Sequence, residues 1–230
     1  MATILCIETA TEVCSVALAQ DGEVLMERVS SEDQSHSTLL GVYVEELMEY
    51  VRANNIVLDA VAVSSGPGSY TGLRIGVSEA KGLSYGLNVP LIAIPTHEIM
   101  AWQMKDEAVE GMLLCPMIDA RRMEVYTTFF DSELNIVRET KADIINEDSY
   151  ADLLEKHEIL FFGNGAAKCK ETITHGNARF VDNIKPVAAG MVAVAEKAYE
   201  DKRFEDVAYF EPFYLKQFVA TIAKNKVINI

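Results

Sequence analysis

Between positions 64 and 74 the chain reads Ser64-Ser65-Gly66-Pro67-Gly68-Ser69-Tyr70-Thr71-Gly72-Leu73-Arg74. A short apolar stretch, Ala60 to Val63, precedes it, and a helical pattern, Leu73 to Leu83, follows. A strand-to-helix turn this rich in glycine lets backbone amides approach something closely: a phosphate, another helix or another chain. As a phosphate cradle the spacing fails. A Walker loop needs GxxxxGK[ST], and no lysine follows Gly72 at that distance. A dinucleotide fingerprint needs GxGxxG, and Gly66-Pro67-Gly68 is followed by Thr71 where the third glycine belongs.

As a packing device the same stretch makes sense. Gly72, Gly76 and Ala80 recur every four residues and form one smooth helical stripe, with Gly82 and Gly86 adding further small positions. Each helical glycine gives up roughly 0.5–1 kcal/mol relative to alanine, a cost that marks close approach by a neighbour. The preceding helix, Thr38 to Arg52, carries the seam Leu40, Val44, Leu47 and Val51, and Leu39, Val42, Tyr43 and Tyr50 put apolar surface on its other sides. Such a helix needs two covering layers. The sheet supplies one, and a partner helix lying against Leu40, Val44, Leu47, Val51, Gly72, Gly76 and Ala80 is expected to supply the other. Packing of the stripe on the chain's own sheet is the alternative at this point.

The order of elements implies a mixed sheet with helices on its faces. Strands are expected at Thr3 to Glu8, Val13 to Ala19 and, after the Asp21-Gly22 hairpin signal, Glu23 to Val29. Ser35 to Ser37 can cap the first helix. A strand at Pro90 to Pro95 leads to a third helix, Thr96 to about Lys105. A second unit begins near Gly111, with strands Leu113 to Asp119, Met123 to Phe130, Ile159 to Phe162 and Ala178 to Val181, and helices Asn146 to Lys156, Ala166 to Ile173 and Pro186 to Glu200. The expected division is 1–108 and 109–230, with a loose tail after about residue 218. The two units echo each other. Ile7-Glu8-Thr9 and Ile118-Asp119-Ala120 both place a carboxylate where an apolar strand turns into a hairpin. Two hairpin-led α/β units facing each other are the plan of the actin-like fold of ATPases and sugar kinases, in which those turns hold metal and phosphate.

Charge excludes one class of function. With 35 acidic against 20 basic residues the net charge is −15, and the basic residues are scattered, so direct binding to a nucleic-acid backbone is not expected. No apolar run reaches the ~18 residues of a membrane span. Cys6, Cys14, Cys115 and Cys169 show no zinc spacing and read as small buried hydrophobes of a cytoplasmic protein. His36, His97, His157 and His175 are not paired at i, i+4 and read as surface or capping residues. Neither a GxSxG elbow nor a spaced Ser-His-Asp or Cys-His set is present.

Ile7 to Leu18 (IETATEVCSVAL), Gly66 to Gly76 (GPGSYTGLRIG) and the ending Glu211-Pro212-Phe213-Tyr214-Leu215-Lys216 resemble the signature segments of the TsaB family, also called YeaZ. Segment order and length match over nearly the whole chain. The resemblance implies an actin-like two-lobed α/β fold, each lobe a mixed β-sheet flanked by helices. It also implies a non-catalytic scaffold in the bacterial machinery that makes threonylcarbamoyladenosine beside the tRNA anticodon. Family members pair with the transferase TsaD, their paralogue, and with the ATPase TsaE, while TsaC supplies the threonylcarbamoyl-adenylate. They also form homodimers through the N-terminal lobe, and tRNA contact falls to the partners.

TsaD-like chains carry an HxxxH metal motif after the strand matching Leu91 to Pro95. Here Glu98 and Trp102 stand in those places and His97 is one position off, so no metal site is expected. An actin-type phosphate loop wants D-x-G-x-T, whereas Glu8-Thr9-Ala10-Thr11 has neither the Asp nor the Gly. The cleft residues Glu8, Thr9, Asp119, Gly163 and Gly165 are therefore expected to be vestigial. No cofactor of its own is expected, and a nucleotide at the interface with partners is left open. The rival readings are an independent ATPase or sugar kinase of the same fold, and a metallopeptidase-like protein.

Overall fold

The structure, a computed structural model, describes residues 2–31 and 36–216. The cap expected at Ser35 and the tail expected after about residue 218 lie outside them. Two five-stranded sheets make the molecule. In the first, β1 (Thr3–Glu8), β2 (Cys14–Gln20) and β3 (Glu23–Ser30) form an antiparallel meander, and β4 (Ala60–Gly66) and β5 (Leu91–Pro95) add parallel strands on the other side of β1. Helices α1 (His36–Ala53), α2 (Tyr70–Leu87) and α3 (Thr96–Gln103) follow β3, β4 and β5.

The second sheet repeats this plan. β6 (Leu113–Asp119), β7 (Glu124–Phe130) and β8 (Ile136–Ile144) form its meander, and β9 (Ile159–Phe162) and β10 (Ala178–Val181) continue parallel beyond β6. Written from the edge of each meander, the orders are β3-β2-β1-β4-β5 and β8-β7-β6-β9-β10. The echo read between the two carboxylate turns is thus a duplicated topology, and the fold is the two-lobed actin-like one.

Alternation along the central strands assigns two different neighbours to the first sheet. Leu5, Ile7, Val16, Leu18, Val61 and Val63 face α1 and α2. The opposite face carries Ile4, Cys6, Ala17, Ala19, Ala60 and Ala62, whose small side chains admit α5 (Val192–Glu200) through Val194, Ala195 and Ala198. This corrects the division at 108/109. The last helix belongs to the first lobe, because the face of β1, β2 and β4 opposite α1 would otherwise be apolar and open. The chain then stays on that lobe: Glu205 pairs with Leu91, Lys81 Nζ donates to the carbonyls of Ala208 and Phe210, and Phe213 N donates to Ser65 O at 2.7 Å.

Most local differences from the expected elements fall in the second lobe and in the last helix. The strand β8 was not foreseen, since Ile136–Ile144 mixes charged and apolar residues as an exposed edge does. The helix expected at Asn146 to Lys156 is only α4 (Ala151–Leu154), and that at Ala166 to Ile173 is a 3-10 turn, Ala167–Cys169. The last helix starts at Val192 after a 3-10 turn, Ala188–Met191, where a Cβ on Gly190 would come within 2.8 Å of Gln103.

Helix α3 sits between the lobes. Ile99 packs in the first-lobe core, while Met100, Ala101 and Met104 join Leu114, Ile118, Phe130 and Leu160 of the second. All four cysteines are buried and free. His97 is not a surface residue. It is 1% exposed, and its Nδ1 lies 2.8 Å from Thr128 Oγ1 of β7, so it ties α3 to the second sheet. Burial pushes its pKa down to about 3, which keeps the ring neutral. Among the described residues no helix is long and apolar enough to cross a membrane.

Candidate functional site: a cleft closed by its own side chains

In the first lobe the β1–β2 turn and the glycine loop are packed into each other. Ser69 caps α2 by accepting from Gly72 N at 3.2 Å, and its own N–H donates to Ala10 O at 2.7 Å. Thr9 Oγ1 donates to Gly72 O at 2.9 Å. A Cβ on Gly68 would overlap Ala10 O, one on Gly72 would overlap Thr9 O, and one on Gly76 would overlap Thr9 Oγ1. The glycines therefore admit the chain's own hairpin turn. Thr9 and Ala10 are fully buried, so the place where a phosphate would meet this turn is filled with protein.

Glu8 is inside that packing. It is fully buried, its Oε1 accepts from Ala10 N at 2.5 Å, and Oε2 has no hydrogen-bond partner. Burial raises its pKa to about 7, against the opposing pull of the hydrogen bond from Ala10 N. Oε1 of this carboxyl is committed to its own turn.

The second-lobe turn is half open. Asp119 pairs with Lys168 Nζ, its Oδ1 accepts from Arg121 N at 3.0 Å, and its N–H donates to Asn164 Oδ1 at 2.9 Å. Gly163, at φ +108°, lies where a Cβ would overlap Met117 O, and a Cβ on Gly165 would come within 3.0 Å of Asp119 N. These two glycines lay the β9 loop on the end of β6. Glu8 and Thr9 are thus sealed in one lobe, while Asp119, Gly163 and Gly165 are neighbours in the other.

What joins the lobes here is Glu12, which the motif reading passed over. Its Oε2 accepts from Asn164 Nδ2 at 2.9 Å and its Oε1 pairs with Lys185 Nζ at 3.0 Å. Burial pushes this carboxyl up, but its own backbone N–H, Lys185 and Asn164 outweigh that and hold it below the ordinary range. A second tie runs from Lys216 Nζ to Glu124 Oε2. No local pattern distinguishes Glu12, Lys185 or Lys216. Their partners lie far away in sequence, so only the closed fold reveals them.

The expected partner seam needs correction. Leu40, Val44, Leu47 and Val51 are all buried and pack in the core with Leu5, Val16 and Leu18. Gly72, Gly76 and Ala80 are likewise buried, the first two against Thr9. The seven residues are the inner side of α1 and α2, because the most regular apolar spacing belongs to the face that meets the sheet. The outward sides carry Gly41, Val42 and Tyr50 on α1 and Gly82, Tyr85 and Gly86 on α2. Val42 and Tyr85 are 51% and 83% exposed, and a Cβ at Gly41, Gly82 or Gly86 would meet nothing within 4 Å.

Duplicated lobes led by carboxylate turns define the molecule as a two-lobed actin-like protein. A family model described as "TsaD: tRNA N6-adenosine threonylcarbamoyltransferase" matches residues 23–224. The "tRNA threonylcarbamoyladenosine biosynthesis protein TsaB" of Escherichia coli is 30% identical over 226 residues, covering 94% of this chain and 96% of that one. Its Bacillus subtilis namesake is 31% identical over 174 residues, 74% of this chain and 75% of that one. The solved structure of YeaZ from Pseudomonas aeruginosa superposes with a TM-score of 0.75 at 24% identity, covering 94% of this chain and all (100%) of that one. The chain belongs to the TsaB (YeaZ) family, within the wider group that the TsaD model describes.

Proposed function

We propose that this protein is a non-catalytic subunit in the cytoplasmic biosynthesis of tRNA threonylcarbamoyladenosine, holding a TsaD-type transferase and a TsaE-type ATPase in a working complex. The pathway follows from relatives of that printed name whose alignments run nearly end to end. The observation that supports the non-catalytic role is the filled first-lobe turn: Thr9 and Ala10 occupy the ground that a nucleotide phosphate needs. A net charge of −15 supports leaving the tRNA to more basic partners.

The docking surface in this reading is the outward side of α1 and α2, where Gly41, Gly82 and Gly86 leave room for another helix beside Val42 and Tyr85. The isolated chain dimerises through the same side. A nucleotide, if one is used, is held between partners and not by this chain alone.

The test is reconstitution. Co-purification with TsaD and TsaE, and modification of tRNA that depends on this chain, are the expected results. Val42→Arg with Tyr85→Arg should weaken association at least about tenfold, or 1.4 kcal/mol, with an unchanged fold. Modification at full rate without the chain, or tight Mg-ATP binding by the chain alone in calorimetry, would refute the proposal.

A further inference from the structure

Each sheet ends in two edge strands, and two of the four are protected. β5 is covered by the returning segment at Glu205, and β10 is only four residues long. β3 exposes Val24, Leu25 and Val29 but is bulged at Leu25 and tied to α1 by Arg28 and Glu46, 2.6 Å apart. β8 is the longest of the four. It is nine residues long, and Ile136, Val137 and Ile144 are 54%, 49% and 75% exposed. Register shifts against β7 bend it, so a long added strand is disfavoured and side chains must do the recognising.

Beside β8 lies a recess of about 580 Å³ between the strand and the segment that follows it. Val137, Ile144, Tyr150 and Leu153 give it apolar walls, and Asp148 and Asp152 give it charge. The wall is preorganised. Arg138 donates to both oxygens of Asp143, at 2.7 and 2.6 Å, and Tyr150 Oη donates to the same carboxylate at 2.9 Å. Tyr150 is held at φ +62°, a conformation that a bulky residue adopts only when its surroundings impose it. Its ring is stacked on Phe161 and set edge-on to Phe129.

Arg138 thus neutralises Asp143, whereas Asp148 and Asp152 are exposed and form no ion pair among the described residues. No group of three or more His, Cys, Asp or Glu among the described residues is placed to hold a metal ion. The complement of these walls is a cation carried on an apolar chain.

We propose that this second-lobe recess is a docking site for an extended segment of a partner protein in which arginine or lysine alternates with apolar residues. The aliphatic stems lie against Val137, Ile144 and Leu153, and the cationic heads reach Asp148 and Asp152. The site is on the second lobe, whereas α1 and α2 are on the first, so it does not depend on the proposed helix interface.

The full chain is tested by amide hydrogen exchange with about 1 mM of the peptide acetyl-Val-Arg-Val-Arg-Val-amide, and with its Glu-for-Arg counterpart as control. The arginine peptide is expected to slow exchange within residues 136–153, and the glutamate peptide to leave it unchanged. Asp148→Lys with Asp152→Lys should weaken the protection about tenfold. A charge-matched control on exposed residues elsewhere, Asp106→Lys with Glu107→Lys, should retain it. No protection by the arginine peptide, equal protection by both peptides, protection that survives the Asp148/Asp152 change, or equal loss in the control would each overturn the proposal.

Discussion

Glu8 makes a quantitative prediction, because its carboxyl is fully buried with one oxygen unpartnered. Its pKa rises from 4.5 to about 7 on folding. At 1.36 kcal/mol per tenfold, that difference amounts to about 3 kcal/mol. Because the folded state holds the proton more tightly, the contribution is fully present below pH 4.5 and is lost as pH rises through about 7. Glu8→Gln keeps a carbonyl oxygen toward Ala10 N and removes the titration. The assay is urea unfolding of both proteins between pH 4.5 and 8, read as the difference in stability, so that groups common to both cancel. Across that window the difference should move by about 3 kcal/mol in favour of the variant. Parallel pH profiles would show that Glu8 is not desolvated as the packing of the β1–β2 turn requires, and the account of a sealed first-lobe turn would fall with it.

The other predictions concern the remaining ties. His97, pushed down to about 3 by burial, contributes stability above pH 6.5 that is lost on acidification, by about 2 kcal/mol between pH 6.5 and 5. His97→Gln should flatten that acid limb in urea titrations, and an unchanged limb would contradict the buried interlobe position. Gly76→Leu should prevent folding, because the new side chain has to displace Thr9, whereas Gly82→Leu should cost nothing or stabilise by up to about 1 kcal/mol. Circular dichroism and thermal melting distinguish the two, and a well-folded Gly76→Leu would be the refuting result. Removal of the Glu12–Lys185 pair, whose side chains are 31% and 37% exposed, should cost under about 1 kcal/mol in a double-mutant cycle. A coupling above that would mean the pair is far drier than its exposure indicates.

Legibility differed between the lobes for a physical reason. In the first lobe, apolar runs, the Asp21-Gly22 hairpin signal and a helical stripe made β1, β2, β3 and α1 readable to within a residue or two at their ends, and α2 to within three or four. In the second lobe, Ala151 to Lys156 and Ala166 to Glu171 carry helix-forming residues but fold as only one turn each, and β8 mixes charged and apolar residues along an exposed edge without a hairpin signal before it. The candidate site was half legible. The carboxylate turns and their glycine loops are local motifs, and the sequence placed them. The clasp by Glu12, Asn164 and Lys185 spans more than 150 residues and leaves no local mark.

By itself, then, the amino-acid sequence determined that the chain is an α/β protein with two echoing carboxylate hairpin turns, glycine loops after later strands, and neither a Walker nor a dinucleotide fingerprint. Those are properties of neighbours along the chain: strand alternation, helical stripes and motif spacing. Only the tertiary structure decided which way the stripes face. Leu40, Val44, Leu47, Val51, Gly72, Gly76 and Ala80 point inward, because the sheet is the larger apolar surface and Thr9 needs the space the glycines leave. It also decided that α5 returns to the first lobe, since the small residues of β1, β2 and β4 require a cover whose identity no local pattern encodes.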